Sequence, residues 1–584
     1  MNQAHAVAAV TAVVLGTLLI GGLGLRISRT TSDFYVASRT VGPRLNAAAI
    51  SGEYLSAASF LGIAGLVLLQ GPEMLWYPVG YTAGYLVLLV LVAAPLRRSG
   101  AYTLADFAEA RLESAAVRRL AGLFVVGIGW LYLLPQLQGA GLTLHILTGA
   151  PDWVGALVVG VVVTGAVAAG GMRSITFVQA FQYWLKLTAL LVPAFFLLAA
   201  WAGDGAPRAR FAEPPHFREQ SAVRVADTVR LDLAAPLTVT VTGRVDGRDH
   251  RGRPVALAAG PHRVEAGTVL DFPEGARVPE RAAPSGATGT QWSQPLSGSR
   301  EEHPLYATYG LILATFLGTM GLPHVAVRFY TSPHGTAARR TTLVVLGLIG
   351  TFYLLPPVYG ALGRIYAPEL ALSGSADAAL LVLPERMVGG VAGDLLGALL
   401  AGGAFAAFLS TASGLTMAVA GVLTKDALPR RLRLRRRSAA GVRPAGSGVR
   451  AFRLGTVVAM AVPLLVSRFV VNVPVADAVG LAFAVSASSF CPLLVLGIWW
   501  RGLTAPGAAS GLLVGGGAAL TAVLATRAGV PGGGWAHTLL AWPAVWSVPL
   551  GFLTMVAVSV ATRDRVPAGA AATLTRLHLP EGLR

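Results

Sequence analysis

The chain is 584 residues long, 54% hydrophobic and only 13% charged, with a mean hydropathy of +0.63. Soluble domains carry about 25% charged residues, so composition excludes an ordinary water-soluble protein and leaves the membrane class. The formal net charge of +18 does not mark a nucleic-acid binder: many arginines sit in short loops between apolar runs, where they orient a membrane protein, and no basic–aromatic interleaving offers bases a stacking platform.

The first apolar run begins at Ala6, with no lysine or arginine before it and Arg26 and Arg29 directly after it. That is the reverse of a cleavable signal and predicts an N-terminus outside the cell. Thirteen runs reach the about 20 residues that a helical crossing needs: 6–25, 45–70, 74–96, 120–148, 152–171, 175–201, 305–328, 341–366, 389–423, 452–472, 475–499, 505–526 and 538–561. The fourth and ninth are longer than one crossing, and are expected to tilt or to split at their glycines. Counting from an outside N-terminus, each arginine cluster falls in the cytoplasm, including Arg97 and Arg98, Arg118 and Arg119, Arg339 and Arg340, and the run from Lys425 to Arg437. The C-terminus follows them inside.

Residues 203–303, between spans 6 and 7, are polar. Val229-Arg230-Leu231-Asp232-Leu233 and Leu237-Thr238-Val239-Thr240-Val241-Thr242 alternate with period two, which is a strand signal. A small extracellular insert, β-rich or partly disordered, is expected there. It divides the chain into 1–202, 203–303 and 304–584.

Four spans carry polar chemistry. Span 2 reads Ser51-Gly52-Glu53-Tyr54-Leu55-Ser56-Ala57-Ala58-Ser59 across its middle. Small residues there allow either a close helix contact or a broken helix whose free carbonyls hold a cation. Glu53 favours the second, because a carboxylate in a bilayer costs about 2.5–3.5 kcal/mol and persists where it is used or paired. Span 6 places Gln179, Gln182 and Lys186 on one face, toward substrate or toward a structural ion pair with a partner such as Glu53. Span 7 contains Gly321-Leu322-Pro323-His324, a second expected break, with His324 either packed or a proton relay. Span 9 contains Ser410-Thr411, two hydroxyls that either suit a hard cation such as Na⁺ or bond back to their own helix.

Several absences narrow the function. The single cysteine, Cys491, rules out an intramolecular disulfide. The only lysines, Lys186 and Lys425, do not follow glycine, so there is no phosphate-cradling Gly-Lys-Ser/Thr loop to support an ATP-driven pump. No zinc spacing or nucleophile–base set occurs, so neither an enzyme nor a cofactor is expected.

Taken in order, Asp33-Phe34-Tyr35-Val36-Ala37-Ser38-Arg39, the stretch from Gly52 to Gly62, Ala94-Pro95-Leu96-Arg97-Arg98-Ser99-Gly100, Gly321-Leu322-Pro323-His324, Ser410-Thr411 and Phe483-Ala484-Val485-Ser486 resemble the sodium:solute symporter family, and within it the cation/acetate symporters. The resemblance implies an all-α polytopic membrane protein with a leucine-transporter-type core, two inverted repeats over about 45–202 and 304–500, and alternating access. It implies a Na⁺ site built from the backbone of Gly52, Leu55 and Ala407 and the hydroxyls of Ser410 and Thr411. It places substrate near Ser56 and Ala57, with Tyr54, Glu53, Gln179, Gln182, Lys186, Gly321 and His324 as further candidates. Two positions depart from the family pattern: relatives often carry aspartate at the positions of Gln179 and Glu53. The expected function is Na⁺-coupled (or other cation-coupled) uptake of acetate or a similar short monocarboxylate across the cell membrane; a proline or amino-acid symporter, or a transporter-derived sensor or channel, is the alternative.

Overall fold

A computed structural model describes residues 3–28, 30–205, 215–225, 228–281, 292–293, 302–426, 447–469, 475–528 and 533–581. Among these residues, ten helices are long and apolar enough to cross a membrane, and Pro304–Gly321 with Pro323–Phe329 does so across a 44° bend. Two of the ten each hold two of the apolar runs. Asp152–Gly203 has 52 residues, about 78 Å of helix against a hydrocarbon core of about 30 Å. It is divided at Gly171 (φ 56, ψ −153) into spans 5 and 6. Ala58–Arg98 likewise joins the second half of span 2 to span 3, through the tight turn Gly71–Leu75. Read this way, each of the thirteen apolar runs overlaps helix among the described residues; the end of the tenth, 470–472, lies outside them.

Of the tilt or split expected for spans 4 and 9, the split does not occur: Ala115–Thr148 and Gly390–Asp426 are each continuous. Their glycines serve close packing instead. Gly139 lies against Phe408 and Gly414 against Glu53. Span 9 is almost wholly buried and forms the central post of the bundle, while span 1 shows most of its surface to the outside. Bulky apolar side chains such as Leu19, Leu123, Val161, Phe195 and Leu553 are exposed around the periphery, the pattern of a lipid-facing belt.

The two breaks occur where the sequence places them. Span 2 is helical over Pro43–Tyr54, leaves the helix at Leu55 (φ −73, ψ 84), and resumes as a wide turn at Ala58–Gly62 followed by Ile63–Gln70. Span 7 breaks at Leu322 (φ −63, ψ 120), where the ring of Pro323 disfavours helical backbone at the residue before it.

Between spans 6 and 7 an antiparallel sheet forms from β1 (Ser221–Arg224), β2 (Val229–Leu233), β3 (Leu237–Val245), β4 (Arg248–Leu257), β5 (Gly260–Val264), β6 (Val269–Phe272) and β7 (Glu280–Arg281). The order is β1-β6-β3-β5-β2-β7, with β4 on β3. β2 buries alternate residues, as its period-two pattern requires. The sheet's core of Val241, Val264, Leu270 and Phe272 also takes in Leu372, from the segment between spans 8 and 9. The insert is thereby fastened to the helical body.

Gly171 supplies a test of the span 5–6 division. Its backbone lies in a region essentially restricted to glycine, which costs other residues about 1–3 kcal/mol, and a Cβ would stand 2.6 Å from Phe34 Cα. Gly171→Ala is expected to lower the melting temperature of the detergent-purified protein; an unchanged melting curve would refute this account of the kink.

Candidate cation and substrate site

Ending a helix in mid-bundle frees carbonyls that no water can satisfy. At the span 2 break these are the carbonyls of Gly52, Glu53 and Leu55, and each finds a side chain. Thr411 Oγ1, from span 9, donates to Glu53 O at 2.6 Å. Lys186 Nζ, from span 6, donates to Gly52 O and to Leu55 O at 2.7 Å. Its third bond goes to Ser410 Oγ at 2.9 Å, and Ser410 Oγ itself donates to Ala407 O at 3.1 Å. The five residues expected to hold Na⁺ therefore converge, and the ammonium of Lys186 stands among them. Lys186 was expected on a substrate-facing stripe or in an ion pair with Glu53; its hydrogen bonds go instead to the helix break.

Close approach makes this possible. A Cβ on Gly52 would lie 2.1 Å from Gln179 O, so spans 2 and 6 meet backbone to backbone. Gln179 Nε2 in turn donates to Ser410 O at 2.8 Å, which ties span 6 to span 9. Gln182 points elsewhere: its amide donates to Thr17 Oγ1 of span 1 at 3.0 Å, away from the break.

Glu53 forms a buried ion pair with Arg328 Nε, from the second half of span 7. Arg328 Nη1 also donates to Thr176 Oγ1 at 3.0 Å. A side chain in place of the Gly414 hydrogen would strike the Glu53 carboxylate, so span 9 leaves room for the pair. Arg328 was not singled out from the sequence. An arginine four residues beyond His324, at the end of an apolar run, was the available signal, because intramembrane charges are paired.

The turn from Tyr54 to Ala57 faces an aromatic chamber. Tyr54 OH shares a hydrogen with Thr319 Oγ1 at 2.8 Å, and its ring meets Tyr85 at 4.8 Å. Tyr132 OH donates to Ser56 Oγ at 3.3 Å and its ring lies 5.3 Å from His324. Ala57 N–H donates to Gln136 Oε1 at 3.1 Å. Gln136 Nε2, Tyr85 OH, Arg328 Nη2 and both ring nitrogens of His324 are buried without a hydrogen-bond partner among the described residues. Gly321 lies against Ser486 of span 11 and serves packing at the second break. Tyr85, Tyr132 and Gln136 were missed because nothing in their own helices marks them; only the fold brings them to the Ser56–Ala57 turn. A separate cavity of about 280 Å³, lined by Glu73, Tyr77, Thr308, Leu311 and Trp542, includes none of the expected residues.

Removing one partner of a buried ion pair leaves an uncompensated charge and costs about 3–5 kcal/mol, whereas replacing both is often close to neutral. Arg328→Met alone should strongly lower thermal stability, and Glu53→Gln combined with Arg328→Met should recover part of the loss. Equal melting temperatures for the single and double variants would refute the pairing.

Comparison with known proteins places this geometry. The sodium:solute symporter family model matches residues 34–214 and 282–515 and passes over most of the sheet-forming insert. The chain is 29% identical over 560 residues to an uncharacterized symporter, YwcA, of Bacillus subtilis, covering 95% of this chain and 94% of that one. It is 30% identical over 548 residues to a monocarboxylic acid transporter of Corynebacterium glutamicum, covering 91% and 87%. A Na⁺-coupled sialic acid symporter in a substrate-bound outward-open state shares the fold, with a TM-score of 0.62 at 14% identity over 95% of this chain and 98% of that one. The fold is thus of the leucine-transporter type, and the chain belongs to the sodium:solute symporter family.

Proposed function

We propose that this protein takes up acetate or a similar short monocarboxylate, coupled to cation entry, by alternating access around the span 2 break. The observation that carries this reading is the charge balance of the buried centre. Among the described residues Arg328 is paired with Glu53, and the ammonium of Lys186, with its three N–H groups on Gly52 O, Leu55 O and Ser410 Oγ, meets no second carboxylate. One positive charge is left over in a medium where uncompensated charge is costly. One carboxylate would balance it, and the unpartnered donors of His324, Gln136, Tyr85 and Arg328 are the groups a carboxylate accepts from. The crowding of Tyr54, Tyr85, Tyr132 and Phe483 favours a short chain. The relative named as a monocarboxylic acid transporter agrees with this choice.

An amino acid fits less well. Its ammonium would need an anion at the centre, and Glu53 already holds Arg328. In the orientation that the arginine clusters favour, the N-terminus and the insert face outward and the basic loops face the cytoplasm.

Labelled acetate uptake into proteoliposomes, corrected with protein-free vesicles, tests the proposal. Unlabelled propionate and pyruvate should compete and proline should not; competition by proline alone would contradict the substrate class. Ser56→Leu, which fills the turn beside Tyr132, should cut uptake about tenfold or more, as expected when a substrate-contacting position is blocked. Undiminished uptake by a folded Ser56→Leu protein would move the substrate away from this turn.

A further inference from the structure

We infer that the ammonium of Lys186 takes the place of the coupling Na⁺, so that the span 2–span 9 cage binds no Na⁺ and transport through this protein does not require it. The part concerning transport rests on the uptake function proposed above; the part concerning the cage does not.

A protonated lysine has three N–H donors, and here all three are used: on Gly52 O, on Leu55 O and on Ser410 Oγ. Those are three of the five groups that the family resemblance assigns to Na⁺. The other two are engaged as well, Ala407 O by Ser410 Oγ and Thr411 Oγ1 by Glu53 O. A sodium ion at the same oxygens would stand within contact distance of a like charge, in a medium of low effective dielectric where repulsion is strong. The carbonyl end of a helix favours a cation, and Lys186 provides one that is covalently tethered.

Displacement of Lys186 by Na⁺ has no evident destination. The side chain is completely buried, and spans 2 and 6 touch at Gly52, which leaves no room beside the cage. The charged neighbour of Lys186 is Glu53, already bound to Arg328. The one hydroxyl it is bonded to among the described residues, Ser410 of span 9, carries no charge. An ammonium pushed out of the cage would be buried without an anion, a state more costly than the one it left. The residues expected to coordinate Na⁺ are thus present and correctly gathered, but the position they surround belongs to the protein's own side chain.

The test compares Na⁺ with K⁺ at constant ionic strength, first on the purified full-length protein and then in proteoliposomes. A ligand that binds only the folded state raises the melting temperature. Replacing K⁺ by Na⁺ is expected to leave the wild-type melting temperature unchanged and to raise that of Lys186→Ala, in which the cage is vacated; Lys186→Met serves if the alanine variant does not fold. Acetate uptake by the wild type should run at the same rate in either salt. A Na⁺-dependent rise in the wild-type melting temperature, or uptake stimulated by an inward Na⁺ gradient, overturns the inference. So does a folded Lys186 variant with no Na⁺ response, since the cage would then not be a cation site. If the wild type takes up no acetate in either salt, the proposed substrate fails, while the melting comparison still decides the role of Lys186.

Discussion

Breaking a helix in the middle of a membrane leaves carbonyl groups with no water to turn to, and the arrangement of this protein follows from how three such carbonyls are satisfied. Gly52, Glu53 and Leu55 end the first half of span 2, and the side chains that answer them come from spans 6 and 9. Those bonds need the spans in contact, which is why glycine stands at position 52, against the Gln179 carbonyl. Span 9 needs to be the buried post that it is, because two of its neighbouring hydroxyls, on Ser410 and Thr411, complete the set. Each bond is ordinary in strength, but an unmade one in an apolar interior costs several kcal/mol, so the break and its partners stand or fall together.

A second constraint is charge. Among the described residues Glu53, Lys186 and Arg328 are gathered near the centre, with Glu53 paired to Arg328 and Lys186 donating three hydrogen bonds to the helix break and Ser410. The Glu53–Arg328 pair joins the first half of span 2 to the second half of span 7, both of them broken helices. The monocarboxylate proposed above would balance the positive charge left over there, and a zwitterion would not.

Much of this was legible in the sequence, for identifiable reasons. Apolar runs mark crossings because the bilayer sets their length. Pro323 marks the break at Leu322 because its ring acts on the residue before it. The alternation of Val229–Leu233 marks a strand, and the structure buries the same residues. The roles of Glu53 and Lys186 were not legible, because their partners are set by packing: Arg328 lies 275 positions from Glu53, and Lys186 lies 134 from Gly52. A charged residue within a span announces that it has a partner without naming it. Tyr85, Tyr132 and Gln136 gave no signal at all, since an aromatic or amide residue on a buried helix is equally suited to simple packing.

The central claim is that a lysine ammonium, and not a metal ion, holds the carbonyls of the broken helix. A high-resolution density map of the protein prepared in Na⁺ buffer tests it directly. The account predicts continuous side-chain density from Lys186 reaching Gly52 O, Leu55 O and Ser410 Oγ, unchanged when K⁺ replaces Na⁺. A discrete ion peak among those oxygens, present only in Na⁺ and with Lys186 turned out of the cage, would contradict it.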